Sequence, residues 1–237
     1  MNVYFKTIVG SKLYGLDTPT SDTDYKGFGM PDCDYIIGLK RQETDSCKNL
    51  TENSEEALFS VGKYLSVLMK GNPTVFEIAF ADKKFHTVRT PIGSAIISFV
   101  QKTFITKHLF SPYSAYFRAQ RADIKKQKTK GNRIEIIKQF GYDTKSASHC
   151  LRIGYQCNQI MKTGYLNPTL EGEEREICMA IKKGEMNLSQ VDSILEKVDK
   201  EMYNSYKNTK LTEQPDYQTV NEFCVSIYKN YLLGLSF

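Results

Sequence analysis

Residues 8–29 read IVGSKLYGLDTPTSDTDYKGFG, and the fold turns on how this stretch is divided. The apolar run Val3 to Val9, broken by Lys6 and Thr7, predicts a strand ending at Gly10-Ser11. Leu16-Asp17-Thr18-Pro19-Thr20-Ser21 is rich in residues that favour turns and disfavour a long helix. A second strand is therefore expected from Asp22 to Met30. On an extended segment Asp22 and Asp24, two apart, project from one face. Two carboxylates so placed suit a shared metal ion, although Asp-x-Asp in a Ser/Thr-rich loop is also a common solvated turn.

Gly10-Ser11, a ten-residue linker and Asp-x-Asp between strand formers resemble the active-site signature of the DNA polymerase beta-like nucleotidyltransferase superfamily. The longer form GSKLYGLDTPTSDTDYKG, with Tyr14-Gly15, Pro19 and Gly27 in place, resembles its RNA ligase-associated polymerase branch, RlaP. The resemblance implies that Gly10 and Ser11, with Tyr14 and Ser21 nearby, hold the nucleotide. It implies also that Asp22 and Asp24, joined by a third carboxylate from a later strand, bind divalent metal.

The rest of the composition is consistent with that expectation and excludes little. With 237 residues, 41% hydrophobic and 25% charged, the chain can bury a sizeable core in one large or two small domains. A formal charge of +5 suits a phosphate-rich partner. Six cysteines, at 33, 47, 150, 157, 178 and 224, form no C-x-x-C pair; neither a zinc site nor a disulfide framework is signalled. Reduced thiols, the lack of a signal-peptide pattern and the lack of an eighteen-residue apolar run predict a soluble, cytoplasmic protein with no membrane partner. No Walker loop, G-x-G-x-x-G turn or internal repeat occurs.

Beyond Pro31, Tyr35 to Leu39 reads as a short edge strand or a loop, and Lys40 to Ser54 as a polar surface excursion. Leu58, Val61, Leu65 and Leu68 fall at helical spacing, so a helix ends near Gly71, and its beginning reads as a third strand. Glu55 at that beginning occupies the place where the RlaP pattern carries an acidic residue, and is taken as the third carboxylate. Glu56 competes with it, since neighbours in a strand face opposite ways; the pair could also be a helix N-terminal acidic pair. Gly71-Asn72-Pro73 continues the resemblance, and Phe76, Ile78 and Phe80 suggest a strand or short helix in which Glu77 is a reserve candidate, most simply exposed on an edge.

From Pro91 the pattern is helical. Lys125 to Arg133 holds five cations in nine residues, either a phosphate grip or a solvated linker. In Tyr142-Asp143-Thr144-Lys145-Ser146-Ala147-Ser148-His149-Cys150-Leu151-Arg152, a stretch that also resembles RlaP, Lys145, His149 and Arg152 lie at i, i+4 and i+7 on one helix stripe. They are read as a clamp for a triphosphate or a nucleic-acid phosphate. Gln159 stands where the resemblance leads one to expect Glu. Leu188 to Tyr206 and Val220 to Leu233 complete the helices, with a break at Pro215-Asp216.

The expected fold is α+β: a nucleotidyltransferase core over residues 1–95, a small mixed β-sheet with helices, followed by a mainly α-helical domain over 96–237, with the site in the cleft between. The resemblance implies transfer of a nucleoside monophosphate from a nucleoside triphosphate such as ATP, with Mg²⁺ or Mn²⁺, most readily to an RNA end. AMP transfer to a protein hydroxyl, a small-molecule acceptor and a non-catalytic nucleic-acid-binding module are the alternatives.

Overall fold

The computed structural model describes residues 1–39, 46–51, 54–125 and 133–234. The chain divides into two compact units, one of Met1–Thr106 with Gln214–Phe237 and one of Lys107–Glu213. The boundary expected at residue 95 falls within the helix that follows Pro91, and the last helix, expected in the second domain, belongs to the first unit.

In the first unit five described strands make one mixed sheet: β1 (Asn2–Val9), β2 (Asp24–Met30), β3 (Ser46–Thr51), β4 (Ser54–Ser60) and β5 (His86–Arg89), in the order β3-β4-β2-β1-β5. β1 is antiparallel to both β2 and β5, β2 is parallel to β4, and β4 is antiparallel to β3. The helices of this unit are α1 (Cys33–Ile36), α2 (Val61–Met69), α3 (Pro73–Phe76), α4 (Pro91–Thr103) and, from the far end of the chain, α10 (Tyr217–Leu232). With those of the second unit they make the fold α+β, as expected.

Local chemistry explains the boundaries. Ser60 ends β4 and caps α2 by accepting from the Lys63 N–H. Asn72 and Thr90 cap α3 and α4, each with a proline at the next position, where a missing N–H costs nothing. Phe5 and Phe28 stack on the sheet at 5.6 Å between ring centroids, and Phe28 stacks on Tyr64 of α2 at 4.4 Å. α10 is fixed here by Phe223 stacking on Phe99 at 3.7 Å and by the Tyr228 hydroxyl, which accepts from the Gly62 N–H.

Three expectations need correction. Tyr35 to Leu39 is neither strand nor open loop at its start, since Cys33–Ile36 closes a helical turn. The polar excursion after Lys40 contains β3, whose backbone ladder to β4 does not depend on an apolar alternation. Glu77 lies on no exposed edge: it opens a 3₁₀ turn, Glu77–Phe80, and is 0% exposed.

The second unit is helical, with α5 (Phe110–Lys125), α6 (Arg133–Phe140), α7 (Thr144–Thr163), α8 (Gly172–Lys183) and α9 (Leu188–Asn208). α7 packs against α5, α8 and α9 and buries Leu151, Ile153, Cys157 and Ile160. Asp143 caps its start and Gly164, at φ 66°, its end. A reciprocal box of Asn187 and Gln190 opens α9. Lys125 ends α5 and Arg133 begins α6; 126–132, the rest of the basic run, lie outside the described residues. Among the described residues no helix is long and apolar enough to cross a membrane.

Candidate functional site

The turn after β1 is compact. Gly10 takes a left-handed φ of 70°; its carbonyl accepts from the Tyr14 N–H at 3.2 Å, and the Ser11 carbonyl accepts from Leu16 at 2.9 Å. Tyr14 is buried, and its hydroxyl donates to Glu77 Oε1 at 2.6 Å. Ser21 closes the next turn, its hydroxyl accepting from the Thr18 N–H at 2.9 Å, while Lys12 Nζ donates to the Thr23 hydroxyl.

Register then sets what surrounds the Asp24 carboxylate. Val9 pairs with Asp24, so Gly10, just past the end of β1, lies against the Asp24 side chain. A β-carbon at Gly10 would stand 2.7 Å from Asp24 Oδ2. On the other side of β2, Tyr25 pairs with Glu56 in the parallel ladder to β4. One residue earlier on each strand, the Asp24 carboxylate accepts from the Glu55 backbone N–H. Burial raises the Asp24 carboxyl above its usual range, and the charges of Glu55 and Asp22 raise it further, against that N–H and the charge of Lys26.

Asp22 lies outside the strand. β2 begins at Asp24 because β1 ends at Val9, and Asp22 is exposed in the loop before it. Glu56 takes the opposite face from Glu55 and pairs with Lys6 at 3.0 Å. Lys26 donates to the Thr74 carbonyl at 2.7 Å.

Among the described residues no three His, Cys, Asp or Glu side chains already form a metal-binding group. The donor type nevertheless suits a hard divalent cation. Asp22, Asp24 and Glu55 carry carboxylate oxygens, the donor type such ions take, and the Asp24 carboxyl is raised by burial first and then by the charges of Glu55 and Asp22.

In the second unit the stripe on α7 runs from solvent into the core. Lys145 is exposed, His149 is half-buried, and Arg152 is 0% exposed. Arg152 donates to Gln156 Oε1 at 2.9 Å and to His149 Nδ1 at 3.0 Å. Nε2 of His149 is then left to donate to the Tyr116 hydroxyl at 3.0 Å. Lys145 and Arg152 are thus separated by depth, with no anion held between all three needed to keep them apart. Tyr116, on α5, and Gln156 carried no signal in the sequence, since each acts through a contact that only the packing of α7 creates.

A family model described as RlaP, the RNA repair pathway DNA polymerase beta family, matches residues 1–226. The chain is 27% identical over 148 residues to an uncharacterized 38.9 kDa protein from the nrdC-mobD intergenic region of enterobacteria phage T4, a match covering 58% of this chain and 42% of the phage protein. It therefore spans less than half the length of that relative. It is 23% identical over 243 residues to an uncharacterized protein of Methanocaldococcus jannaschii, covering 95% of this chain and 93% of that one. Among solved structures it is similar to a nucleotidyltransferase-like protein from Exiguobacterium sibiricum, with a TM-score of 0.32 and 10% identity over 87% of this chain and 69% of that one.

Proposed function

The chain belongs to the RlaP family, the RNA repair pathway DNA polymerase beta family, and from that premise we propose that it moves a nucleoside monophosphate from a nucleoside triphosphate to a hydroxyl at an RNA end, releasing pyrophosphate. The observation that carries the reading is the Asp24 carboxylate set against the Gly10-Ser11 turn and held by the Glu55 backbone N–H, within the fields of Glu55 and Asp22. A phosphate-rich substrate and a set of oxygen donors belong together in this chemistry.

Asp22, Asp24 and Glu55 are the residues that would hold Mg²⁺ or Mn²⁺, and such ions, when bound, lower the pKa of the acceptor hydroxyl and neutralise charge on the pyrophosphate. The chain's own contribution is positioning. Ser11 and the backbone N–H groups of the turn hold the β- and γ-phosphates. Tyr14 braces that turn through Glu77, and Ser21 shapes the loop that carries Asp22. Glu55 fixes the Asp24 carboxylate with its N–H, so a variant side chain at 55 keeps that bond and loses only the carboxylate. In the second unit Lys145 is the phosphate ligand of the stripe, because His149 already donates Nε2–H to Tyr116 and accepts at Nδ1 from Arg152.

The test is incubation with each labelled nucleoside triphosphate and Mg²⁺ or Mn²⁺, offering RNA and lysate protein as acceptors beside Asp22→Asn. Label in RNA that disappears in the variant is the expected result. Label in protein alone moves the acceptor to a protein hydroxyl, and full activity in Asp22→Asn removes it from the metal set.

A further inference from the structure

A side-chain tie crosses from the Gly10-Ser11 turn to the segment that carries Asp22, and the proposed chemistry does not use it. Lys12 Nζ donates to the Thr23 hydroxyl, and Thr23 stands between Asp22 and Asp24 in the chain. The two ends of this tie differ in their support. Lys12 belongs to a fixed turn: its carbonyl accepts from the Gly15 N–H at 3.3 Å, and the next two residues, Leu13 and Tyr14, are 0% and 8% exposed. Thr23 and Asp22 precede the paired strand, since the ladder of β1 with β2 ends at Val9 and Asp24, and Asp22 is exposed. Residues 18–21 close a turn on themselves, the Ser21 N–H donating to the Thr18 carbonyl and the Thr18 N–H to the Ser21 hydroxyl, both at 2.9 Å. Those bonds shape the loop without joining it to the Gly10-Ser11 turn.

We propose that Lys12 is a positioning residue for the metal-binding carboxylates: by holding Thr23 it ties the Asp22 to Asp24 segment to the Gly10-Ser11 turn before any ion binds. A carboxylate on a loose loop must be ordered when it takes up an ion, and ordering one residue weakens affinity by about tenfold. A loop tied in advance avoids that loss. The partner chosen also fits the role. The Lys12 ammonium lies on a neutral hydroxyl, which leaves the oxygens of the adjacent aspartates to the ion. The bland account, an incidental contact of a half-buried lysine, predicts that removing the Thr23 hydroxyl changes nothing.

The inference rests on the metal-dependent reading of the site. Its first readout is the affinity of the full chain for Mn²⁺ alone, followed by the electron paramagnetic resonance of the free ion. Thr23→Val removes the acceptor at constant charge and is expected to weaken Mn²⁺ binding by roughly tenfold. Lys12→Met weakens it by a similar factor, although loss of a cation near the carboxylates would by charge alone tighten it. The two changes together lose little more than either one, because both break the same bond. Thr23→Ser and Lys12→Arg keep a donor and an acceptor, hold affinity near that of the wild type and guard against a misfolded variant. In nucleotidyl transfer at saturating Mn²⁺, Thr23→Val and Lys12→Met lower kcat and leave the KM for the nucleoside triphosphate unchanged. Tighter Mn²⁺ binding in Lys12→Met with Thr23→Val silent would make Lys12 a bare charge, and a raised KM in Lys12→Met alone would make it a phosphate ligand; either overturns the proposal. So would losses that add in the double variant. If Asp24→Asn abolishes Mn²⁺ binding while Thr23→Val leaves it intact, the tie fails and the metal reading stands. A wild type that binds no Mn²⁺ overturns both.

Discussion

The backbone of Gly10 abuts the carboxylate of Asp24 so closely that a β-carbon at position 10 would stand 2.7 Å from Oδ2. Gly10 also holds a φ of 70°, which costs an L-residue about 1–2 kcal/mol. Gly10→Ala is therefore expected to lower stability by about that amount and to push the Asp24 carboxylate aside. A displacement of this size can cost roughly 10²-fold in rate. Thermal melting and nucleotidyl transfer measured on the same preparation separate the two effects; a variant that melts lower but transfers normally would show that Asp24 tolerates the shift.

Tyr14 and Glu77 form a 2.6 Å hydrogen bond with Glu77 fully buried. Tyr14→Phe removes the donor and is expected to cost about 1–3 kcal/mol. Glu77→Gln retains an acceptor oxygen and should cost less. Denaturant melts of both variants check the order, and the reverse order would mean that the bond is not what braces the turn.

Asp143 accepts from the Ser146 N–H and hydroxyl at 2.9 and 2.8 Å and pairs with Arg133 at 3.2 Å. Burial pushes its carboxyl up, but the Ser146 bonds and the Arg133 charge outweigh it and hold the carboxyl below its usual value. A lowered folded-state value means stability that is present above the unfolded pKa, about 3.9, and lost as pH falls through the folded one. Asp143→Ala should cost about 1–2 kcal/mol at neutral pH through the lost helix cap. The gap between variant and wild type should close as acid is added below pH about 4. Unfolding midpoints across that range decide it; a gap independent of pH would place the effect in packing alone.

Asp24 behaves in the opposite sense. Its raised carboxyl, from burial and then from Glu55 and Asp22, means that its ionised form weakens the folded state at neutral pH. Mg²⁺ or Mn²⁺ should therefore raise the melting midpoint, by about 2.7 kcal/mol of stability at one hundred times the dissociation constant. Asp24→Asn should melt higher than wild type without metal and respond less to it. An equal response in both would remove Asp24 from the metal set.

The sequence made the local parts of this arrangement legible and left the long-range parts hidden. Gly10-Ser11 and the Asp22 to Asp24 segment are contiguous, and their turn residues announce themselves. That Glu55 meets Asp24 depends on the parallel pairing of β4 with β2, which no local pattern specifies. β3, reading SCKNLT, has no apolar alternation, and β5 is four residues long, so neither offered a period to detect. Helical spacing placed Lys145, His149 and Arg152 on one stripe but said nothing of its depth, and Arg152 is inside. The return of α10 rests on Phe223 meeting Phe99, a contact between residues far apart in the chain.

The most direct measurement compares Glu55→Gln and Glu56→Gln, beside Asp22→Asn and Asp24→Asn, in transfer of label from a nucleoside triphosphate to RNA. Glu56 faces Lys6 at 3.0 Å, whereas Glu55 lies beside Asp24. The account predicts loss of roughly 10²-fold or more in Glu55→Gln and both aspartate variants, with Glu56→Gln remaining active. Activity retained in Glu55→Gln and lost in Glu56→Gln would contradict it.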